Sequence, residues 1–200
     1  MRNLPNILTG TRIAIIPILI LVFYLPNLFT NVVAAILFAI AGITDYFDGY
    51  FARSMHAQSN FGKCLDPIAD KLIVIVAIIM LVSFSNQDLW IIIPGLIIVC
   101  REVLVSGLRE FLADLRVSIP VSNLSKYKTM VQMMAITLLL LGEKGTSCII
   151  YYWISGSINI ETKMLLISAI ILIGKALFSL AACLTVITGY AYLRVGLKNM

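Results

Sequence analysis

The sequence predicts an all-α integral membrane protein with six transmembrane helices, a short interfacial N-terminal segment and both termini on the cytoplasmic side. Three observations predict it. The 200 residues are 60% hydrophobic and 12% charged, with a mean hydropathy of +1.00. A soluble domain averages about 45–50% apolar and about 25% charged. So little polar surface cannot coat a globule, which excludes a soluble enzyme, a disordered chain and a disulfide-rich secreted domain. The apolar residues fall in runs of about 20, the length a helix needs to cross a bilayer. The cations are one-sided. Arg2, Arg12, Arg53, Lys63, Lys71, Arg101, Arg109, Arg116, Lys126, Lys128, Arg194 and Lys198 lie in or near one set of span ends. Only Lys144 and Lys163 lie in the opposite loops, and Lys175 falls inside the last span. The positive-inside rule then puts both termini in the cytoplasm, as suits a bacterial cytoplasmic (inner) membrane protein.

The elements follow in order. Residues 7–25 form the first span, after a segment whose Pro5 suits a helix start and whose Arg12 can snorkel to headgroups. No small-residue cleavage site follows this run, so it is expected to be a retained span. Pro26-Asn27 turns the chain into a second span at 31–52, and the short loop 53–63 leads to a third at 64–84. Ser85-Asn86-Gln87-Asp88 precedes a fourth at 89–112, and Ser118-Ile119-Pro120 a fifth at 124–142. Residues 143–163 read as a longer connection, and 164–193 as a last span long enough to tilt or protrude. No internal repeat or low-complexity tract appears, so residues 1–200 read as a single domain. Cys64, Cys100, Cys148 and Cys183 are scattered without zinc-ligand spacing and read as reduced core residues. His56 reads as a solvated loop residue, and Trp90 and Trp153 as interfacial anchors. The net charge of +5 suits anionic headgroups and no nucleic acid.

Charged side chains inside spans are costly, and here they cluster. Asp45 and Asp48 sit at the cytoplasmic end of the second span, and Asp66 and Asp70 at the cytoplasmic start of the third. Spacings of i,i+3 and i,i+4 put each pair on one helix face, and the short loop makes the two spans antiparallel neighbours. Four carboxylates at one depth repel unless some are protonated, cations of the protein neutralise them, or a divalent ion does. Arg53, Lys63 and Lys71 could form the salt-bridge network of the plainer alternative. Carboxylate oxygens otherwise suit Mg2+ or Mn2+, and two such ions could clamp a transferring phosphoryl group.

The spacing is more specific than the charge. Residues 45–70 read DYFDGYFARSMHAQSNFGKCLDPIAD, which fits D-x2-D-G-x2-A-R-x8-G-x3-D-x3-D at all eight fixed positions. This resembles the signature of the CDP-alcohol phosphatidyltransferase family. The resemblance implies six spans, a divalent-metal site with two ions at the cytoplasmic surface, and a homodimer. It implies that Asp45, Asp48 and Asp66 are core metal ligands. Asp70 would complete a second metal position or act as general base on the attacking hydroxyl. Gly49, Ala52, Arg53 and Gly62 would form the CDP-binding floor. The glycines leave room for a pyrophosphate to approach the backbone, and Arg53 is a fork that can hold phosphate. Helix packing alone would also favour small residues there.

The acceptor is read from the later spans. REVLVSGLR at 101–109 and SNLSKYKTMVQ at 122–132 place Arg101, Arg109, Lys126 and Lys128 toward the same end. Arg101 lies eight residues deeper than Arg109, more than topology signalling needs. Such cations suit a small anionic acceptor, with bidentate arginine contacts to its phosphate. Together with NLPNILTGTRIAIIP at 3–17, these segments resemble the branch of the family that uses CDP-diacylglycerol as donor and glycerol-3-phosphate as acceptor. Two alternatives stay open. One is the same chemistry on inositol phosphate or phosphatidylglycerol. The other is a small ion-coupled transporter, although its acids would be expected near the midplane.

Overall fold

The computed structural model describes residues 4–25, 29–55, 60–114, 123–154 and 159–198; side chains of residues 4–9, 45–67 and a few at helix ends lie outside that description. The described residues form six helices and no strand: α1 (Leu4–Tyr24), α2 (Thr30–Met55), α3 (Asn60–Ser83), α4 (Leu89–Asp114), α5 (Asn123–Ile154) and α6 (Ile160–Lys198). Three are long and apolar enough to cross a membrane, over Leu89–Leu112, Leu124–Ile150 and Ile160–Arg194. Gly10–Tyr24 and Thr30–Thr44 are shorter apolar stretches.

The helices alternate in direction, as their cross-contacts show. Asn31 Nδ2 donates to the Leu140 carbonyl at 3.1 Å, and Gly42 lies against Met133, so α2 and α5 are antiparallel. Lys71 bonds Ser106 while Gly95 sits under Ile78, so α3 and α4 are antiparallel. Asp88 pairs with Lys175, Arg101 with Thr188, and Gly196 meets Leu108, so α4 and α6 run parallel in one register. One end therefore carries the starts of α1, α3 and α5 and the ends of α2, α4 and α6.

The core is apolar and built on small residues. Ala34, Ala35, Ala41, Ala77, Ala135, Ala181 and Ala182 are buried, which lets backbones approach, and Phe38, Ile78, Ile98, Ile136 and Phe178 fill the space between them. Large apolar side chains such as Leu21, Leu96, Leu172 and Tyr190 stay exposed around the outside, as a lipid-facing surface requires. Asp88 closes the α3–α4 turn. Its Oδ1 accepts from the Trp90 N–H at 3.0 Å, as an N-cap does, and its Oδ2 lies 2.6 Å from Lys175 Nζ. The Lys175 hydrogen bond holds the Asp88 carboxyl below the usual range; partial burial opposes that shift, and the Trp90 N–H adds to it.

Two elements differ from the sequence expectation. The N-terminal segment is not a separate interfacial helix, because Leu4–Tyr24 is one helix of 21 residues. Pro5 stands in the first turn, where a missing N–H costs nothing, and no breaker separates it from the apolar run. The segment 143–163 is largely helical. α5 bends at Gly142, whose φ of 56° and ψ of −164° break the helical geometry, and continues to Ile154. Asn31 satisfies the Leu140 carbonyl beside the bend, and Thr146 Oγ1 donates to the Gly142 carbonyl at 2.6 Å. α6 starts at Ile160, earlier than its apolar run suggests.

Candidate active site

The eight-position motif lies at one end of the bundle. Asp45, Asp48, Gly49, Ala52 and Arg53 occupy the last three turns of α2, and Gly62, Asp66 and Asp70 the first three of α3. The backbone thus brings both halves to the end where these two helices are joined. The side chains of Asp45, Asp48, Gly49, Ala52, Arg53, Gly62 and Asp66 lie outside the described residues. Asp70 is described, and its carboxylate is 37% exposed.

Asp70 has a partner that the sequence pattern does not reveal. Arg12 of α1, with a side chain 2% exposed, forms an ion pair with Asp70 through Nη1 and Oδ1. Arg12 does not snorkel to headgroups; it turns into the bundle. The reason is electrostatic. A guanidinium under other helices has no water and needs an anion. A signal was present, since Arg12 is a lone cation in an apolar run and the motif supplies carboxylates at the same end.

The residues expected to hold an acceptor divide into two groups. Arg101, Arg109 and Lys128 join a polar cluster among α4, α5 and α6, whereas Lys126 is exposed, two residues and about 200° around α5 from Lys128. Arg101 Nη2 donates to Thr188 Oγ1 at 3.0 Å and Nη1 to Glu102 Oε1 at 3.3 Å. Its Nε is buried without a hydrogen-bond partner among the described residues. Lys128 is buried and pairs with the same Glu102 oxygen. The Arg109 guanidinium lies 4.7 Å from the centre of the Tyr192 ring and donates to its hydroxyl, while Arg101 lies 5.9 Å from that ring. Gly189 makes room for this: a Cβ there would stand 3.1 Å from Arg101 Cγ. Gln132 Oε1 and Thr185 Oγ1 are buried nearby in sequence, one turn from Lys128 and Thr188, and have no hydrogen-bond partner among the described residues. Among the described residues, three cations surround the one carboxylate of Glu102 and leave the cluster net positive, which fits an anion. Glu102, Thr188 and Tyr192 were not among the expected residues.

The two groups share a depth. Lys71, next to Asp70, donates to Ser106 Oγ. Ser106 lies one turn from Glu102 and one turn from Arg109 on α4. The end of the bundle that carries the motif carboxylates therefore also carries the cationic cluster, within about one helical turn, or 5.4 Å.

No group of three or more metal-ligating side chains occurs among the described residues, and three of the four motif carboxylates lie outside them. The donor chemistry nevertheless fits a hard divalent cation. The motif offers only carboxylates, and Asp70 already holds a cation in Arg12. Carboxylates that suit a divalent cation and cations that suit an anionic co-substrate, carried at one end of the bundle, are the residue types that phosphoryl-group transfer uses.

Comparison with known proteins supports that assignment. A profile of the CDP-alcohol phosphatidyltransferase family matches residues 2–191. The chain is similar to proteins named CDP-diacylglycerol–glycerol-3-phosphate 3-phosphatidyltransferase. It is 47% identical to that of Rickettsia typhi over 194 residues, covering 97% of each chain. It is 48% identical to that of Rickettsia bellii over 193 residues, 96% of this chain and 94% of the other. The Salmonella choleraesuis protein is 43% identical over 140 residues, 69% of this chain and 76% of its own.

Proposed function

The chain belongs to the CDP-alcohol phosphatidyltransferase family, and from that premise we propose that it transfers the phosphatidyl group of CDP-diacylglycerol to sn-glycerol-3-phosphate, forming phosphatidylglycerophosphate and CMP. The observation that carries this reading is the shared depth of the motif carboxylates and the Arg101–Lys128–Arg109 cluster. The relatives' names supply the donor and acceptor. The primary hydroxyl oxygen of the acceptor attacks the lipid-side phosphorus. A new P–O bond forms there, and the phosphoanhydride bond to CMP breaks. The hydroxyl proton passes to a carboxylate, with Asp70 the assigned base or second-metal ligand. Asp45, Asp48, Asp66 and Asp70 would hold Mg2+ or Mn2+, and the ions would supply neutralisation of the phosphate charge. Gly49, Ala52, Arg53 and Gly62 seat the CDP. Arg101, Arg109 and Lys128 bind the acceptor phosphate, with the exposed Lys126 drawing anions toward it. Positioning and electrostatics account for catalysis of this kind.

The same reading places residues 1–200 in one domain of six spans, with both termini and the site on the cytoplasmic face of a bacterial inner membrane. The one-sided cations and the alternating helices support it. Family resemblance supports a homodimer.

CMP release by purified protein in detergent tests the reaction, with CDP-diacylglycerol, Mg2+ or Mn2+ and glycerol-3-phosphate supplied. Metal-dependent release only with glycerol-3-phosphate is expected. Release with inositol phosphate or phosphatidylglycerol instead would discard the acceptor but keep the carboxylate chemistry. No release with any alcohol from folded protein would discard the reaction.

A further inference from the structure

The ion pair between Arg12 and Asp70 conflicts with either role assigned to Asp70. A carboxylate oxygen held by a guanidinium is not available to a divalent cation or to a hydroxyl proton. The pair is also asymmetric. Arg12 is enclosed, with 2% of its side chain exposed, while Asp70 is open at 37%. A ligand arriving from the bundle end reaches the carboxylate first. A second divalent ion placed on Asp70 would then face the guanidinium at close range, and like charges repel. That repulsion is relieved when a further anion takes the guanidinium. A guanidinium fork binds phosphate oxygens as well as it binds carboxylate. The donor brings a pyrophosphate to this end of the bundle.

We propose that Arg12 is a positioning residue that occupies Asp70 until the donor's pyrophosphate arrives. Its guanidinium then passes to a phosphate oxygen and releases Asp70 to the second divalent cation. Completion of the metal site is thereby linked to donor binding. This inference rests on the metal and donor reading above.

Mn2+ binding to the full-length protein in detergent tests it, followed by electron paramagnetic resonance. The titration is done with and without CDP, correcting for Mn2+ held by free CDP. In wild type, CDP is expected to tighten the second Mn2+ equivalent by about tenfold, within the ordinary range of coupling between sites. In Arg12→Gln, that equivalent is expected to bind without CDP nearly as tightly as wild type binds it with CDP. A purely structural role would weaken binding and could not strengthen it. Two equivalents bound equally well by wild type with and without CDP would overturn the linkage. CDP dependence kept intact in Arg12→Gln would remove Arg12 from it. Should Arg12→Gln not fold, Arg12→Lys takes its place, with reduced coupling expected and unchanged coupling overturning the assignment. Failure of wild type to bind Mn2+ under any condition would overturn the metal reading itself, a result distinct from the others.

Discussion

Arg101 announces itself by chemistry alone. A guanidinium that deep in an apolar run needs a reason, and it is found within hydrogen-bond reach of Thr188 and Glu102. Replacing Arg101 with Ala removes charge-assisted contacts worth about 1.5–3 kcal/mol. Steady-state kinetics should show the acceptor KM rising about 10–100-fold, with the donor KM nearly unchanged; an unchanged acceptor KM would refute its role. Glu102 is a different case, since it holds a buried lysine rather than an incoming ligand. Glu102→Gln leaves Lys128 beside Arg101 without a carboxylate and is expected to cost about 3–5 kcal/mol of stability, read as a lowered melting temperature in detergent. The cations were legible in the sequence because burial of charge is costly wherever it occurs. Their partners were not. Thr188 and Tyr192 lie more than 80 residues from the arginines they meet, and only the register of α4 against α6 brings them there. The choice between Lys126 and Lys128 was equally hidden, because spacing puts them on opposite faces without saying which face is inward.

At the scale of the element, apolar runs located all six helices, and the fifth run ended at Gly142, where the helix bends. The sequence did not show that a helix resumes beyond it. Polar residues Glu143, Lys144 and Thr146 interrupt the apolar pattern, while Asn31 and Thr146 supply the hydrogen bonds that let the backbone turn and continue. Gly142→Ala forces a side chain into a positive-φ backbone conformation that is essentially reserved for glycine, at about 1–3 kcal/mol. A lower melting temperature with unaltered CMP-release kinetics is the expected pattern, since the bend lies far from the motif end. The Asp88–Lys175 pair ties the α3–α4 turn to α6 and makes stability depend on pH. The folded-state pKa of Asp88 is lowered, so its contribution is present above the unfolded value of about 3.9 and is lost as pH falls through the folded one. Asp88→Asn should melt below wild type at pH 5–7, and the gap should close as pH drops under about 4. A gap of constant size down to pH 3 would assign the effect to capping alone.

For the whole molecule, alternating direction and one-sided charge agree, and each was readable separately. Reporter fusions check the orientation they imply. A periplasmic phosphatase fused after residue 27, 87 or 156 should be active, and a fluorescent protein fused after residue 58, 118 or 200 should glow. The reverse pattern would invert the topology and remove the site from the cytoplasm. The extent of α6 was less apparent, because a hydropathy window reports where a helix can sit in lipid and not where it stops. At 39 residues it is about 58 Å long. Lys175 meets the start of α4, so 15 residues of α6 precede that level. The part of α5 beyond Gly142 folds against the start of α2, with the Tyr152 and Phe29 ring centres 5.3 Å apart and Gly145 against Asn31, so α5 and α6 together cover the end opposite the motif. A chain of 22.1 kDa offers few landmarks for aligning particle images. The connection from α5 to α6, at the end opposite the motif, is one: a rigid binder or scaffold joined there would orient the enzyme in electron micrographs while leaving the motif end clear.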